Sequence, residues 1–244
     1  MCQNHSSSPD DTSHLPRRNF LKLVGAAAFG LSFADRALAA EPALPRPQNA
    51  ITPDAALARL IKGNERYVAG VAKRQDFSTD RQAMTTAQNP FAGVLSCADS
   101  RVAPEYTFDA GRGDLFVCRV AGNFAEPSSI ANFEYGLAVL GVPLILVLGH
   151  QNCGAVSSTI SAVKEGTEFP GHIPTLIDAI RPAVETSMKE SGDLLDNSIK
   201  NNVLRNVEAL KTASPLLDKA VKAGTLRIVG GIYDLDTGEV KILS

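Results

Sequence analysis

The stretch "PLILVLGHQNCGAV", Pro143 to Val156, decides the fold. Its opening run from Pro143 to Leu148 is apolar throughout, which predicts a strand buried on both faces, as in a parallel sheet covered by helices. His150 ends this predicted strand, and we expect a helix to begin near Cys153. A buried strand that leads directly into a helix is typical of α/β folds, whose functional sites lie at the carboxyl ends of the strands.

Predicted strands and helices alternate along the rest of the chain. The further strands are "FAGVLSC" (91–97), "DLFVCRV" (114–120) and, from "TLRIVGG" onward, a strand, an Asp-Thr-Gly turn and a short last strand. Helices are expected from Thr52 to about Tyr67, from Ser78 to Ala87, from Pro127 to Leu140, from near Cys153, and from about Pro174 to Lys222 with breaks at Pro182, Ser191–Gly192 and Pro215. This alternation predicts an α/β fold with a mainly parallel central sheet flanked by helices.

The bulk composition excludes several classes of protein. A hydrophobic content of 44% and a charged content of 20% are ordinary for a soluble globular chain. A net charge of −2, with no basic stripe, gives no reason to expect a nucleic-acid partner. Four cysteines in 244 residues are too few for a disulfide framework.

Residues 1–39 are predicted to be a twin-arginine signal peptide. A polar, serine-rich start leads to Arg17 and Arg18, and the apolar run that follows, Leu23 to Phe33, is too short to span a bilayer, where ~20 residues are needed. The small residues at 37–39 offer a signal peptidase site. Pro16 stands where the motif usually has Ser or Thr, and an uncleaved anchor or a disordered basic tail is the alternative.

Cleavage after Ala39 would leave a proline-rich linker at 40–51 and a single catalytic domain at 52–244. We expect this mature protein to be periplasmic, or otherwise exported through the twin-arginine pathway, with no stable membrane insertion. Cleavage also removes Cys2, so that the cysteines left are Cys97, Cys118 and Cys153.

A second informative stretch, "VLSCADSRV" from Val94 to Val102, places Cys97 at the end of another buried strand. Cys97, Asp99 and Arg101 occupy alternate positions, so their side chains share one face if the strand continues. A thiol, a carboxylate and a guanidinium together at the end of a buried strand indicate a functional site.

Cys97, His150 and Cys153 are predicted to meet, because neighbouring parallel strands end at the same edge of a sheet. Two thiolates and an imidazole suit a tetrahedral Zn²⁺ and leave its fourth position open, as in catalytic zinc sites. Plainer interpretations are a core residue for Cys97, a hydrogen-bonded helix-start residue for His150, and a Cys97–Cys153 disulfide in a protein without zinc. Cys118 is interpreted as a core residue and His172 as a solvated loop residue.

The combination of "CADSRV" and "HQNC", with "GDLFVCRVAGN" and "FEYGLAVLG", resembles the β-class carbonic anhydrases from about Ala50 to the end of the chain. The resemblance implies an α/β sheet assembled as homodimers or larger homo-oligomers, with one Zn²⁺ per chain. It places the zinc ligands on Cys97, His150 and Cys153, and the family's catalytic dyad on Asp99 and Arg101. The residues that it places around the substrate pocket are Gln88, Phe116, Tyr135 and Gly154.

The resemblance also implies the reversible hydration of carbon dioxide to bicarbonate and a proton by zinc-bound hydroxide. Asp99 would orient the hydroxide, and Arg101 would hold Asp99 ionised. In a closed state Asp99 would become the fourth zinc ligand, but Val94 stands where regulated members carry tryptophan, which favours the open state. The alternatives are hydrolysis of carbonyl sulfide or carbon disulfide, and a zinc-stabilised or bicarbonate-binding module without activity.

Overall fold

The computed structural model describes residues 51–73, 81–82 and 84–243. The predicted signal peptide, and all of the linker except Ile51, lie outside these residues. The helix predicted from Ser78 to Ala87 lies partly outside them, and its described part is helical only at 81–82. Within the described ranges, no helix combines the length and the apolar character needed to cross a bilayer.

In the described part of the chain, five strands form one sheet in the order β2-β1-β3-β4-β5. They are β1 (Ala92–Ser96), β2 (Leu115–Arg119), β3 (Leu144–His150), β4 (Arg227–Tyr233) and β5 (Val240–Leu243). The first four run parallel, and β5 pairs antiparallel with β4 at the edge. The prediction of a mainly parallel sheet is confirmed.

Helices cover both faces of this sheet. They are α1 (Pro53–Val68), α2 (Pro104–Thr107), α3 (Pro127–Ala138), α4 (Gly154–Glu165), α5 (Ile173–Ser187), α6 (Leu194–Thr212) and α7 (Pro215–Lys222). Every residue of β3 is buried. Leu144, Leu146 and Leu148 pack in the cluster that includes α1, whereas Ile145 and Val147 pack in the cluster that includes α3, α6 and α7. The unbroken apolar run is therefore explained by two covered faces.

Helix ends follow the capping residues of the sequence. Thr52 accepts a hydrogen bond from the Ala55 N–H at 3.2 Å and begins α1, and Ser214 caps α7 with proline in its first turn. Gly192, at φ +103°, lies in the break between α5 and α6. The expected interruptions at Ser191–Gly192 and before Pro215 are confirmed.

The predicted break at Pro182 is wrong, because α5 runs through it. Proline removes a backbone donor and normally disrupts a helix interior. Here the same helix buries Ile177, Ile180 and Val184, and burial of such side chains contributes ~1.5–3 kcal/mol each. This packing offsets the lost hydrogen bond, which the sequence pattern alone did not reveal.

Candidate metal centre and active site

Cys97, His150 and Cys153 come together at the carboxyl edge of the sheet. Cys97 directly follows β1, His150 is the last residue of β3, and Cys153 is the N-cap of α4. Their ligand atoms all lie within 4.8 Å of one another. All three residues are buried, with 4%, 0% and 1% of their surfaces exposed. Because β1 and β3 are neighbours in the sheet, the two strand ends deliver their ligands to one point.

The turn between His150 and Cys153 is tight. Asn152 lies in it at φ +52°, a left-handed conformation that asparagine tolerates better than most residues. This turn brings Cys153 back beside the strand end, where its Sγ is 4.0 Å from Cys97 Sγ. Both cysteines are free thiols in this structure, not the disulfide that was the alternative.

The donor set fits a zinc ion. His150 Nδ1 lies 2.8 Å from the Gln151 carbonyl oxygen, and because a carbonyl only accepts, Nδ1 carries the proton. The lone pair of the neutral ring is then on Nε2, which is buried and has no hydrogen-bond partner among the described residues. Such orphaned groups are rare in folded proteins, and a metal held with the two sulfurs would satisfy this one.

The two thiols differ in their surroundings. Cys153 donates to Cys97, and the Gly122 N–H donates to Cys97 Sγ at 3.3 Å. The contact with Cys153, together with the hydrogen bond from Gly122, lowers the pKa of Cys97 despite its burial. The hydrogen bond to Cys97, followed by burial, raises the pKa of Cys153. The pair therefore favours one thiolate at Cys97, and a divalent cation would favour a second one at Cys153.

The pKa of His150 shifts in the opposite direction from that expected of burial alone. Desolvation lowers this pKa, but the nearby Cys97 sulfur and its charge outweigh that effect, so the pKa is raised overall. The imidazole and the thiolate thus stabilise each other when no cation lies between them.

Asp99 and Arg101 form a bidentate pair beside these three residues. Asp99 Oδ1 accepts from Arg101 Nε at 3.0 Å and from the Arg101 backbone N–H at 2.9 Å, and Oδ2 accepts from Nη2 at 2.7 Å. The hydrogen bonds from the Arg101 side chain hold the pKa of Asp99 well below its usual range. Asp99 Oδ2 is also 3.8 Å from His150 Nε2, so an ionised carboxylate borders the candidate metal centre.

Asp99 and Arg101 would share a strand face with Cys97 only if the strand continued, and it does not. β1 ends at Ser96, and the Val102 N–H donates to the Asp99 carbonyl at 3.1 Å in a turn. Arg101 reaches Asp99 by folding back across this turn. The alternating pattern identified the right residues, but a turn brings them together.

Arg119 was missed by the sequence reasoning. At the end of β2, its guanidinium donates to the backbone carbonyls of Cys97, Asp99 and Val102 at 3.0, 2.7 and 2.8 Å. It therefore ties down the loop that carries the first thiol and the carboxylate. An arginine that ends an apolar strand was the available signal.

Asn202 and Asn206 on α6 were also missed. Asn202 Nδ2 donates to the Gly122 carbonyl at 2.7 Å, and Asn206 Oδ1 accepts from the Ala125 N–H at 2.7 Å. These buried amides hold the loop whose Gly122 N–H reaches Cys97. Two asparagines one turn apart on the buried face of a helix were the signal in the sequence.

Phe116, Tyr135 and Gln88, which the resemblance places around the substrate pocket, are not among the residues that meet at the candidate metal centre. Phe116 and Tyr135 stack on each other with ring centroids 6.3 Å apart, and Tyr135 is 49% exposed. Phe116 pairs with Gly93 in the sheet, three residues before the end of β1 and therefore ~10 Å from that edge. Gln88 is exposed in the segment before β1. Their place in a substrate pocket stays a prediction.

Gly154 is the first residue of α4, next to the candidate metal centre. A Cβ at this position would meet no neighbouring atom within 4 Å, so the described chain leaves open space there, and the place of Gly154 in a substrate pocket stays a prediction. Cys118 is a buried core residue, and its pKa is raised by that burial. His172 is exposed at the start of α5, as expected.

Comparisons with known proteins agree on one family. A family model described as carbonic anhydrase matches residues 92–240. The chain is 38% identical to carbonic anhydrase 2 of Mycobacterium tuberculosis over 76% of its length and 90% of that protein. It is 39% identical to a carbonic anhydrase of Mycolicibacterium smegmatis, over 79% of its length and 94% of that protein. Its fold matches the solved β-carbonic anhydrase of Coccomyxa in complex with acetazolamide with a TM-score of 0.60 and 29% identity, over 77% and 86% of the two chains.

Proposed function

This chain belongs to the β-class carbonic anhydrases, enzymes that hydrate carbon dioxide to bicarbonate, and we propose that it works with one zinc ion held by Cys97, His150 and Cys153. The observation that carries the proposal is the buried, unpartnered Nε2 of His150 beside two free thiols. Zinc bound there would lower the pKa of a bound water far below that of free water and so make hydroxide available.

Asp99 orients the attacking water in this proposal. Its carboxylate is held in one plane by three hydrogen bonds from Arg101, which leaves its remaining lone pairs to accept a hydrogen bond from a water at the metal centre. Because the pKa of Asp99 lies well below its usual range, the carboxylate is ionised throughout the working range of pH. The residue therefore acts as an acceptor that fixes the water's orientation toward carbon dioxide.

The same contacts support an open site, in which Asp99 stays off the metal. Coordination by Asp99 would compete with the hydrogen bonds that Arg101 donates to both carboxylate oxygens. Val94, which replaces the tryptophan of the regulated relatives implied by the resemblance, is fully buried in the core.

The functional unit in this proposal is a homodimer or a larger homo-oligomer. The stacked pair of Phe116 and Tyr135 is aromatic, partly exposed and distant from its own chain's metal centre. The family resemblance implies pockets completed across a subunit interface, and this pair has the chemistry to line an apolar pocket in a second copy. Gln88, also exposed, would serve there as a hydrogen-bonding group.

Export through the twin-arginine pathway completes the proposal, on the strength of Arg17, Arg18 and the short apolar run after them. This pathway carries folded proteins, so zinc would be loaded in a reducing compartment before export. Bound thiolates would then be protected in an oxidising one.

The test is stopped-flow hydration of carbon dioxide and zinc content, measured on the zinc-loaded protein and on Cys153→Ser. We expect the variant to lose tightly bound zinc and to fall to the uncatalysed rate. Cys118→Ser is the matched control, since Cys118 is a buried cysteine that is not part of the metal centre, and it should keep both. Zinc binding without hydration at alkaline pH, or full activity in Cys153→Ser, would contradict the proposal.

A further inference from the structure

Gln151 lies between two of the proposed zinc ligands, and each of its polar groups has a partner. Its backbone N–H donates to the Tyr233 carbonyl at 3.0 Å, and its backbone carbonyl accepts from His150 Nδ1 at 2.8 Å. Its side-chain Nε2 donates to Asp234 Oδ2 at 3.0 Å, and its Oε1 accepts from the Leu235 N–H at 3.1 Å. Gln151 is therefore bonded at four points between the end of β3 and the turn that follows β4.

Asp234 is itself a rigid partner. Its Oδ1 accepts from the backbone N–H groups of Asp236 and Thr237 at 2.9 and 2.8 Å, which closes the turn between β4 and β5. The hydrogen bond from Thr237 leads the contacts that lower the pKa of Asp234, so the carboxylate is ionised near neutral pH. Only Oδ2 then faces the amide of Gln151.

We propose that Gln151 and Asp234 form a positioning pair that fixes the His150 ring for metal binding. The amide of Gln151 anchors its own residue to the β4–β5 turn, and this anchorage sets the direction of the backbone carbonyl that accepts the Nδ1 proton. The carbonyl in turn holds the His150 ring in the tautomer whose Nε2 lone pair is free beside the two cysteines. This inference rests on the proposed zinc site.

The side chain of Gln151 matters because, after the backbone hydrogen bond from Gln151 to Tyr233, the described contacts of the turn from 151 to 153 are weak. Asn152 is exposed and adopts a left-handed conformation. Its carbonyl receives only a long hydrogen bond, 3.4 Å, from the exposed Arg101 side chain. Beyond the backbone hydrogen bond from Gln151 to Tyr233, the bonds from the Gln151 side chain to Asp234 and Leu235 join this turn to the segment that follows β4.

A reversal of donor and acceptor tests the pair directly. Gln151→Glu places a carboxylate against the Asp234 carboxylate, and Asp234→Asn places an amide N–H₂ against the Gln151 amide N–H₂. Each single variant therefore loses the contact through repulsion or mismatched donors. In the double variant Gln151→Glu/Asp234→Asn, the new amide donates to the new carboxylate, while its oxygen still accepts from Asp236 and Thr237. The net charge of the double variant also equals that of the original protein.

Zinc affinity, measured by competition with a chromophoric chelator, is the main readout. Loss of a partner that orients a metal ligand typically weakens affinity 10–100-fold, and we expect about that loss in each single variant, with most of it regained in the double variant. The visible absorption spectrum of the cobalt-substituted protein should change in the single variants and return in the double variant. Asp236→Asn is the control: it removes one exposed charge from the same turn and should leave affinity unchanged.

The outcomes separate this inference from the zinc proposal. If the original protein binds no zinc, both fail. If it binds zinc and both single variants bind within twofold of it, only the positioning pair is overturned. A lower melting temperature of the metal-free single variants with unchanged zinc affinity would show a purely structural role and would likewise overturn it. Asp234→Asn keeps both turn bonds, so it provides the measurement even where Gln151→Glu does not fold.

Discussion

The three proposed zinc ligands and the Asp99–Arg101 pair are neighbours, yet the fold treats them differently. Cys97, His150 and Cys153 are at most 4% exposed and are held by strand ends and a helix start. The side chain of Arg101 is 52% exposed and that of Asp99 is 17% exposed, and both lie on a turn. The ligands cannot move without disturbing the core, whereas the pair can change its contacts cheaply. Substitutions in the Asp99–Arg101 pair should therefore change the rate of the reaction and leave metal binding largely intact.

Removal of the metal should have the largest effect, because it acts on the three buried zinc ligands. A strong chelator should reduce hydration to the uncatalysed rate, and added zinc should restore it. The chelator should also lower the melting temperature, since a metal ion that binds only the folded state stabilises that state. Calorimetry with and without chelator measures this change. Full activity in protein shown to be free of metal would contradict a role for the three buried residues as metal ligands.

Asp99→Asn should come next, with zinc retained and kcat reduced by about 10²-fold, the size of effect typical when a reacting group is no longer correctly positioned. The amide can still occupy the site, but one of its two positions donates instead of accepting. Zinc content and stopped-flow rates on the same sample check this. A variant that loses zinc together with activity would show that Asp99 belongs with the ligands.

Arg101→Leu should have a smaller effect, about tenfold on kcat, because Arg101 acts through Asp99 and is half exposed to solvent. Zinc affinity should change little. Arg101→Lys, which keeps the charge but not the bidentate geometry, should lie between the variant and the original protein.

Arg101→Leu should also change how the free energy of unfolding depends on pH. The folded-state pKa of Asp99 is depressed, mainly by Arg101, so the pair contributes stability above the unfolded pKa of ~3.9 and loses it as the pH falls through the folded value. Urea unfolding should therefore separate Arg101→Leu from the original protein at neutral pH and bring the two together in strong acid. A difference that grows on acidification would have the wrong sign.

Asn202→Ala should have the smallest effect on activity and a clear one on stability. It leaves the Gly122 carbonyl without the amide that donates to it inside the protein, which costs ~1–3 kcal/mol. Asn201→Ala is the neighbouring control, since Asn201 donates to Ser187 and Glu190, away from the metal centre. Only Asn202→Ala should also weaken zinc binding, through the loop that donates to Cys97.

The sequence predicted the position of the three buried ligands better than the geometry of the more exposed Asp99–Arg101 pair. An apolar run without interruption implies a strand covered on both faces, and adjacent parallel strands must end at one edge, so the meeting of Cys97, His150 and Cys153 followed from topology. The way in which Arg101 reaches Asp99 did not follow, because β1 ends at Ser96 and a turn, not a continued strand, carries both residues.

Long-range polar contacts also escaped prediction. Arg119 reaches carbonyls on another strand's loop, and Asn202 reaches Gly122 from a helix 80 residues away in the chain. Such contacts depend on the final packing, and no local spacing reveals them. The uninterrupted helix at Pro182 has the same cause, since burial of its neighbours outweighed a local preference.

X-ray absorption at the zinc edge tests the central claim most directly. The protein purified with its native metal should show two sulfur ligands at about 2.3 Å and two nitrogen or oxygen ligands at about 2.0–2.1 Å. Cys118→Ser should give the same spectrum, and Cys153→Ser should not. A first shell with no sulfur, or with a sulfur count that changes in Cys118→Ser, would contradict a zinc ion held by Cys97, His150 and Cys153.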